Sequence, residues 1–218
     1  MKRLVFHFDF ISPFAYLAFE RLPQALEGCS YEVEYRPVLF GGLLQHWGNI
    51  GPAEIEPKRA WTFRHVHWLA HTHGIALDTP AVHPFNPLPL LRLALASAAD
   101  LRPNRRVVEA IFRHVWVGGG DPGDAARIAE LSAALAPVHE VSGDAVKQAL
   151  RGNTEAAAAA GIFGVPTIEL DGRAFWGLDG LPMLREALLG GAWFDGPAWQ
   201  AAAVAPPGLK RRTGGPAA

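Results

Sequence analysis

Few residues in this chain have the type and spacing to do chemistry, and the first of them is a hydroxyl. Ser12-Pro13-Phe14-Ala15 follows an apolar run and precedes a helical pattern. Pro13 lacks an N–H and has φ near the helical value, so it suits a first helical turn, with Ser12 as N-cap. Unpaired amides and the macrodipole at such a helix start favour an anion. Read locally, Ser12 is an N-cap; any further use depends on what meets it. Far along the chain, Phe163-Gly164-Val165-Pro166-Thr167 leads directly into a strand signal. Proline cannot donate to a sheet ladder, so Pro166 implies an edge, a turn or a cis bond. A cis Val165-Pro166 bond would turn the Val165 N–H and C=O outward, free for an extended ligand backbone. An ordinary loop proline is the competing reading.

Other candidates carry less. His65, His67, His71 and His73 share one predicted helix, with His67 and His71 at i,i+4. Trp68 stands where a zinc-binding HExxH motif has glutamate, so a helix face of partly packed aromatics is expected and no metal site. Gly118-Gly119-Gly120-Asp121 lacks the Lys-Ser/Thr of a phosphate loop and reads as a plain loop. The single cysteine, Cys29, excludes an intramolecular disulfide, a CxxC pair and a Cys-rich zinc site. No sequence neighbour would lower its pKa, so it is expected to be inert.

The elements that must position these residues follow from periodicity. The chain has 218 residues, half of them apolar and 19% charged, enough for a substantial core. Residues 3–8 alternate with apolar groups on both faces, as in a buried central strand. Helical spacing follows from Phe14 to Leu26, and residues 31–39 alternate again, with Pro37 implying an edge strand or its end. This β-α-β opening has room for a crossover and hence a parallel pair. Helices are expected at 60–73, 87–99, 107–117, 125–135, 145–150 and 154–160. Strands return at 167–170 and 174–176, joined by Asp171-Gly172 as a type I′ turn, and 181–189 forms a last helix. No internal repeat is visible. The order fits an α/β, thioredoxin-like core (1–40 and 161–195) interrupted by an inserted helical domain (41–160). Residues 196–218, with Lys210-Arg211-Arg212, read as a flexible tail.

Twenty Lys plus Arg against twenty-one Asp plus Glu argue against a nucleic-acid surface. No apolar run reaches membrane-spanning length, and His7 and Asp9 break the N-terminal stretch that a signal peptide would need. No nucleic-acid or membrane partner and a cytoplasmic location are the expectation.

At the junction where thioredoxin-like oxidoreductases carry Cys-Pro-x-Cys, this chain has no thiol, so dithiol exchange is impossible there. Phe8 to Ala18 (FDFISPFAYLA), Gly48-Asn49, Pro84-Phe85-Asn86-Pro87, Gly161 to Thr167 (GIFGVPT) and Trp176-Gly177-Leu178-Asp179 with Leu184 form a specific combination. Over roughly residues 3–190 the chain resembles the 2-hydroxychromene-2-carboxylate isomerases. These are relatives of the kappa-class glutathione transferases within the DsbA-like thioredoxin superfamily.

The resemblance implies glutathione as cofactor, with the Ser12 hydroxyl bonded to its sulfur as the catalytic group. A free thiol, with a pKa near 8.5, is only a few per cent ionised at neutral pH. One hydrogen bond to a charged acceptor is worth about 1.5–3 kcal/mol, one to two pKa units. The Val165 backbone, beside Pro166, would pair with the cysteinyl part. Trp176, Gly177, Leu178 and Asp179 would hold the γ-glutamyl end, Asp179 accepting from the α-ammonium; without the motif, Asp179 equally reads as an N-cap. Asn49, Lys58, Arg59, Asn86 and Pro87 match the family's pocket for an aromatic carboxylate substrate. Gln45 stands where many relatives have lysine, which puts carboxylate binding in question. A homodimer is expected, as in relatives. The implied reaction converts 2-hydroxychromene-2-carboxylate to trans-o-hydroxybenzylidenepyruvate. A kappa-type transferase or peroxidase, and a non-catalytic peptide-binding module on the same fold, are the alternatives.

Overall fold

Leu4, Phe6 and Phe8 alternate along β1 (Lys2–Phe8), and all three side chains are fully buried in the computed structural model, which describes residues 1–204. Among those residues one four-stranded sheet forms, in the order β2-β1-β3-β4, with β2 (Tyr31–Pro37), β3 (Thr167–Leu170) and β4 (Arg173–Trp176). β1 pairs parallel with β2 and antiparallel with β3, so it is the interior strand that its two-faced apolar pattern implied. β2 lies at the edge and ends on Pro37, where a missing N–H costs no ladder bond. Asp171 and Gly172 both take positive φ (50° and 76°), as a type I′ turn requires. This is the thioredoxin-like α/β fold.

On one sheet face α8 (Leu181–Leu188) meets β3 and β4, while α1 (Pro13–Ala25) packs on α8 and sets Phe19 against Tyr35 of β2. Helix α5 (Arg105–Trp116) adds Phe112, whose ring centroid lies 4.9–5.8 Å from those of Phe8, Phe10, Tyr16 and Phe19. Burying such a ring contributes about 1.5–3 kcal/mol, and each aromatic pair adds about 0.5–1.5 kcal/mol. The same core therefore continues from the sheet into the helices of the middle segment.

Those helices are α2 (Phe40–His46), α3 (Glu56–His73), α4 (Leu88–Ala96), α5, α6 (Ala125–Leu135) and α7 (Asp144–Ala159). Several bounds differ from the sequence expectation: α2 was not expected as a helix, and α4 ends at Ala96 rather than 99. α3 begins four residues earlier, because Pro57 is tolerated in a first turn. α7 is one helix rather than two: interior Gly152 costs about 1 kcal/mol, which burial of Val146, Leu150, Ala157 and Ala158 outweighs. The core segment ends in α9 (Ala192–Asp195), and the flexible tail expected from residue 196 is instead partly helical, with α10 (Pro197–Ala202). Phe194 is buried there, and Trp199 stacks on Phe175 of β4 at 6.2 Å. Lys210-Arg211-Arg212 lies outside the described residues. No helix among the described residues is long and apolar enough to cross a membrane.

His7 points to the other sheet face, 1% exposed, with neither ring nitrogen hydrogen-bonded. Burial, and secondarily Arg36, lower its pKa to about 4. Below pH 6.5 the unfolded chain binds a proton that the folded protein refuses, so stability falls as pH drops towards 4, by up to about 3 kcal/mol. His7→Phe is expected to remove that acid loss; melting curves of both proteins between pH 4 and 7 check it.

Candidate functional site

Ser12 caps α1, its Oγ accepting the Ala15 N–H at 3.2 Å, with Pro13 opening the helix. Ser12 is 7% exposed. The turn before it is tied down at every residue. Asp9 is fully buried; its carboxyl accepts from the Ile11 N–H at 3.1 Å and from the Phe40 N–H, at the start of α2, at 2.9 Å. The Trp116 indole donates to the Phe10 carbonyl at 2.9 Å, and His83 Nε2 donates to the Ile11 carbonyl at 2.9 Å. The Ser12 N–H closes the turn on the Asp9 carbonyl at 3.1 Å. Burial raises the Asp9 carboxyl to about pKa 7 against the lowering effect of its backbone donors. Burial also holds His83, boxed by Phe63, Phe85 and Trp116, below its ordinary value despite its bond to Ile11.

The Ser12 hydroxyl donates to the Val165 carbonyl at 3.4 Å, joining residues 153 apart in sequence. That bond is long, hence weak, so the hydroxyl proton is readily redirected. The Val165–Pro166 peptide is cis, as is His83–Pro84. Of the two Val165 backbone groups expected to face outward, the carbonyl meets Ser12, and the N–H has no hydrogen-bond partner among the described residues. The Pro166 carbonyl accepts the Gly177 N–H at 2.9 Å. Gly177 takes φ 85°, and a Cβ there would stand 2.3 Å from an Asp179 carboxylate oxygen, so the turn requires glycine.

A cavity of about 490 Å³ opens beside this junction, and Val165, Pro166, Trp176, Gly177, Leu178 and Asp179 all line it. Its other walls come from α1, α3 and α8. Asp179 is exposed and does not cap α8; Gly180 holds that position, without a side-chain bond. The carboxylate is thus unengaged by the local helix, which removes the capping explanation.

The residues assigned to the aromatic substrate are not drawn into that cavity. Asn49 accepts from the Ile50 N–H at 2.9 Å, Asn86 from the Leu88 N–H at 3.1 Å, and Pro87 is the N-cap of α4. Lys58 is exposed in the first turn of α3. Arg59 donates to the His83 carbonyl at 2.8 Å, which connects it through His83 to Ile11 beside Ser12. Gln45 is exposed near the end of α2, and the Trp47 indole after it donates to the Ile162 carbonyl at 3.0 Å, near Val165.

Sequence reasoning missed Asp9 and His83. Asp9 registered only as an interruption of the N-terminal apolar stretch and as one letter of the family motif, with no role of its own, although an acid immediately behind a buried strand was a usable signal. His83 had none, since its partner lies 72 residues away. Cys29 has a neighbour that the sequence did not reveal, the Arg185 guanidinium at 3.9 Å from its sulfur. Among the described residues no group of three or more His, Cys, Asp or Glu side chains gathers to hold a metal ion.

The fold and this junction define a thioredoxin-like protein in which a hydroxyl replaces the redox thiols. Residues 3–189 match the family model described as a DSBA-like thioredoxin domain. The 2-hydroxychromene-2-carboxylate isomerase of Pseudomonas putida is 30% identical over 191 residues, 84% of this chain and 92% of that one. Glutathione S-transferase kappa 1 of Rattus norvegicus is 26% identical, over 85% of this chain and 90% of that one. A solved 2-hydroxychromene-2-carboxylate isomerase superposes with a TM-score of 0.76 at 26% identity, over 88% of this chain and 97% of that one. The chain belongs to the DSBA-like thioredoxin family and, within it, to the group of 2-hydroxychromene-2-carboxylate isomerases and their kappa-class relatives.

Proposed function

We propose that this chain is a glutathione-dependent isomerase that converts 2-hydroxychromene-2-carboxylate to trans-o-hydroxybenzylidenepyruvate in the breakdown of naphthalene-type aromatics, working as a cytoplasmic homodimer. The observation that carries the reading is the buried Ser12 hydroxyl at a helix start, its proton on a weak bond to Val165 at the edge of an open cavity. The residues fit glutathione: the Val165 N–H is free for a peptide carbonyl, and the unengaged Asp179 carboxylate suits an ammonium. When bound, glutathione would supply a thiolate nucleophile for transient covalent catalysis of the ring opening, and would be regenerated unchanged.

The chain's own contribution is to keep that sulfur ionised and to orient the ring. Ser12 already accepts from Ala15, so its single proton is available to a sulfur in place of the Val165 carbonyl. The tethers from Asp9, Trp116 and His83 hold the hydroxyl in place, so little reorganisation accompanies the reaction. Arg59, exposed and connected to the Ser12 turn through His83, is the cation best situated for the substrate carboxylate, with Lys58, Asn49, Asn86 and Pro87 as the further substrate residues that the family resemblance implies.

Absorbance-monitored turnover of the chromene carboxylate, dependent on added glutathione, tests the proposal. Glutathione at 100 times its dissociation constant is also expected to stabilise the fold by about 2.7 kcal/mol, read as a raised melting temperature. The kappa-transferase relatives favour one competing reading. Conjugate accumulation with a chlorinated aromatic and no chromene turnover would establish it.

A further inference from the structure

Two of the residues lining the cavity, from different elements, carry charges that the fold leaves without ionic partners. Asp179 stands on the loop between β4 and α8, and Arg21 projects from the third turn of α1. The Arg21 guanidinium donates only to Gln24 one turn further along its own helix. Among the described residues neither group takes part in an ion pair, with the other or with anything else. They are also the only carboxylate and the only guanidinium among the residues lining this space. Two unlike charges facing one volume without meeting leave room between them for a group that bears both charges.

An α-amino acid head group has that pattern, an ammonium and a carboxylate on one carbon. The γ-glutamyl end of glutathione is such a head group, and Asp179 alone would answer only its ammonium. We infer that Arg21 receives the α-carboxylate of the γ-glutamyl end while Asp179 receives its α-ammonium, an assignment that rests on the glutathione reading above. The planar fork of arginine matches a carboxylate with two parallel N–H donors. His73, at the end of α3, lines the same cavity and offers a further ring nitrogen; its burial, and secondarily the Arg21 charge, lower its pKa. Leu69 and Leu181 supply apolar surface that excludes water and strengthens the charged contacts. Lys58 and Arg59 do not compete for this role, because neither lines the cavity.

Calorimetric titration of the full-length protein with three thiols tests the pairing: glutathione, glutaryl-Cys-Gly without the α-ammonium, and 4-aminobutyryl-Cys-Gly without the α-carboxylate. Arg21→Gln is expected to weaken glutathione about tenfold and to leave 4-aminobutyryl-Cys-Gly unchanged. Asp179→Asn is expected to weaken glutathione similarly and to leave glutaryl-Cys-Gly unchanged. If wild-type protein binds glutathione and Arg21→Gln binds it equally well, or loses the same factor for both thiols, the Arg21 assignment is wrong and the glutathione reading stands. If wild-type protein binds no glutathione, both fall.

Discussion

Ser12→Ala is expected to lower turnover about 10²-fold at saturating glutathione and to raise the pKa of the bound thiol by one to two units. The size follows from one hydrogen bond to a charged acceptor, about 1.5–3 kcal/mol, at 1.36 kcal/mol per pKa unit or decade of rate. The two readouts are independent: rates by absorbance of the chromene carboxylate, ionisation by the ultraviolet band of the bound thiolate against pH. Because Ser12 also caps α1, the alanine variant loses about 0.5–2 kcal/mol of stability. Ser12→Gly, whose capping cost is only a few tenths of a kcal/mol, separates catalysis from folding. Both variants are expected to show the same rate loss. Wild-type turnover in either, with glutathione saturating, would end the mechanism.

Asp9→Ala is expected to cost about 2–6 kcal/mol, because the Ile11 and Phe40 amides lose their carboxyl acceptor in a part-buried setting, at about 1–3 kcal/mol each. The acid behaves unusually with pH. Its folded pKa, near 7, lies above the ordinary value of 3.8, so the folded protein holds a proton that the unfolded chain has released. Stability therefore falls as pH rises from about 4 to 7 and is level above that, opposite in sign to the usual salt-bridged carboxylate. His7 acts in the contrary direction between pH 6.5 and 4, so the trend is cleanest in a His7→Phe background. There, Asp9→Asn is expected to flatten the curve while keeping one acceptor. Identical melting profiles across pH 4–8 with and without Asp9→Asn would show that the buried acid is not titrating in this range.

These two residues also mark how far the sequence can be read. The alternation of Leu4, Phe6 and Phe8, the Ser12-Pro13 helix start and the Asp171-Gly172 turn express preferences that span a few residues. Each appears in the structure where its pattern put it. Gly152 misled because its local cost is small beside the apolar surface that α7 buries on distant elements. Residues 196–202 misled for the same reason: their Ala, Pro and Gly content resembles a linker, while Trp199 finds a partner in Phe175.

The site divides along the same line. That no thiol exchange can occur at this junction, and that a hydroxyl at a helix start is what remains, was determined by the amino-acid order alone, because residue type and helix capping are local properties. Only the tertiary structure decided that this hydroxyl meets Val165, that Asp9 loses its water, and that Arg21 shares a cavity with Asp179 while Lys58 and Arg59 do not. Desolvation and long-range contact depend on how separate elements pack, and no spacing along the chain encodes them.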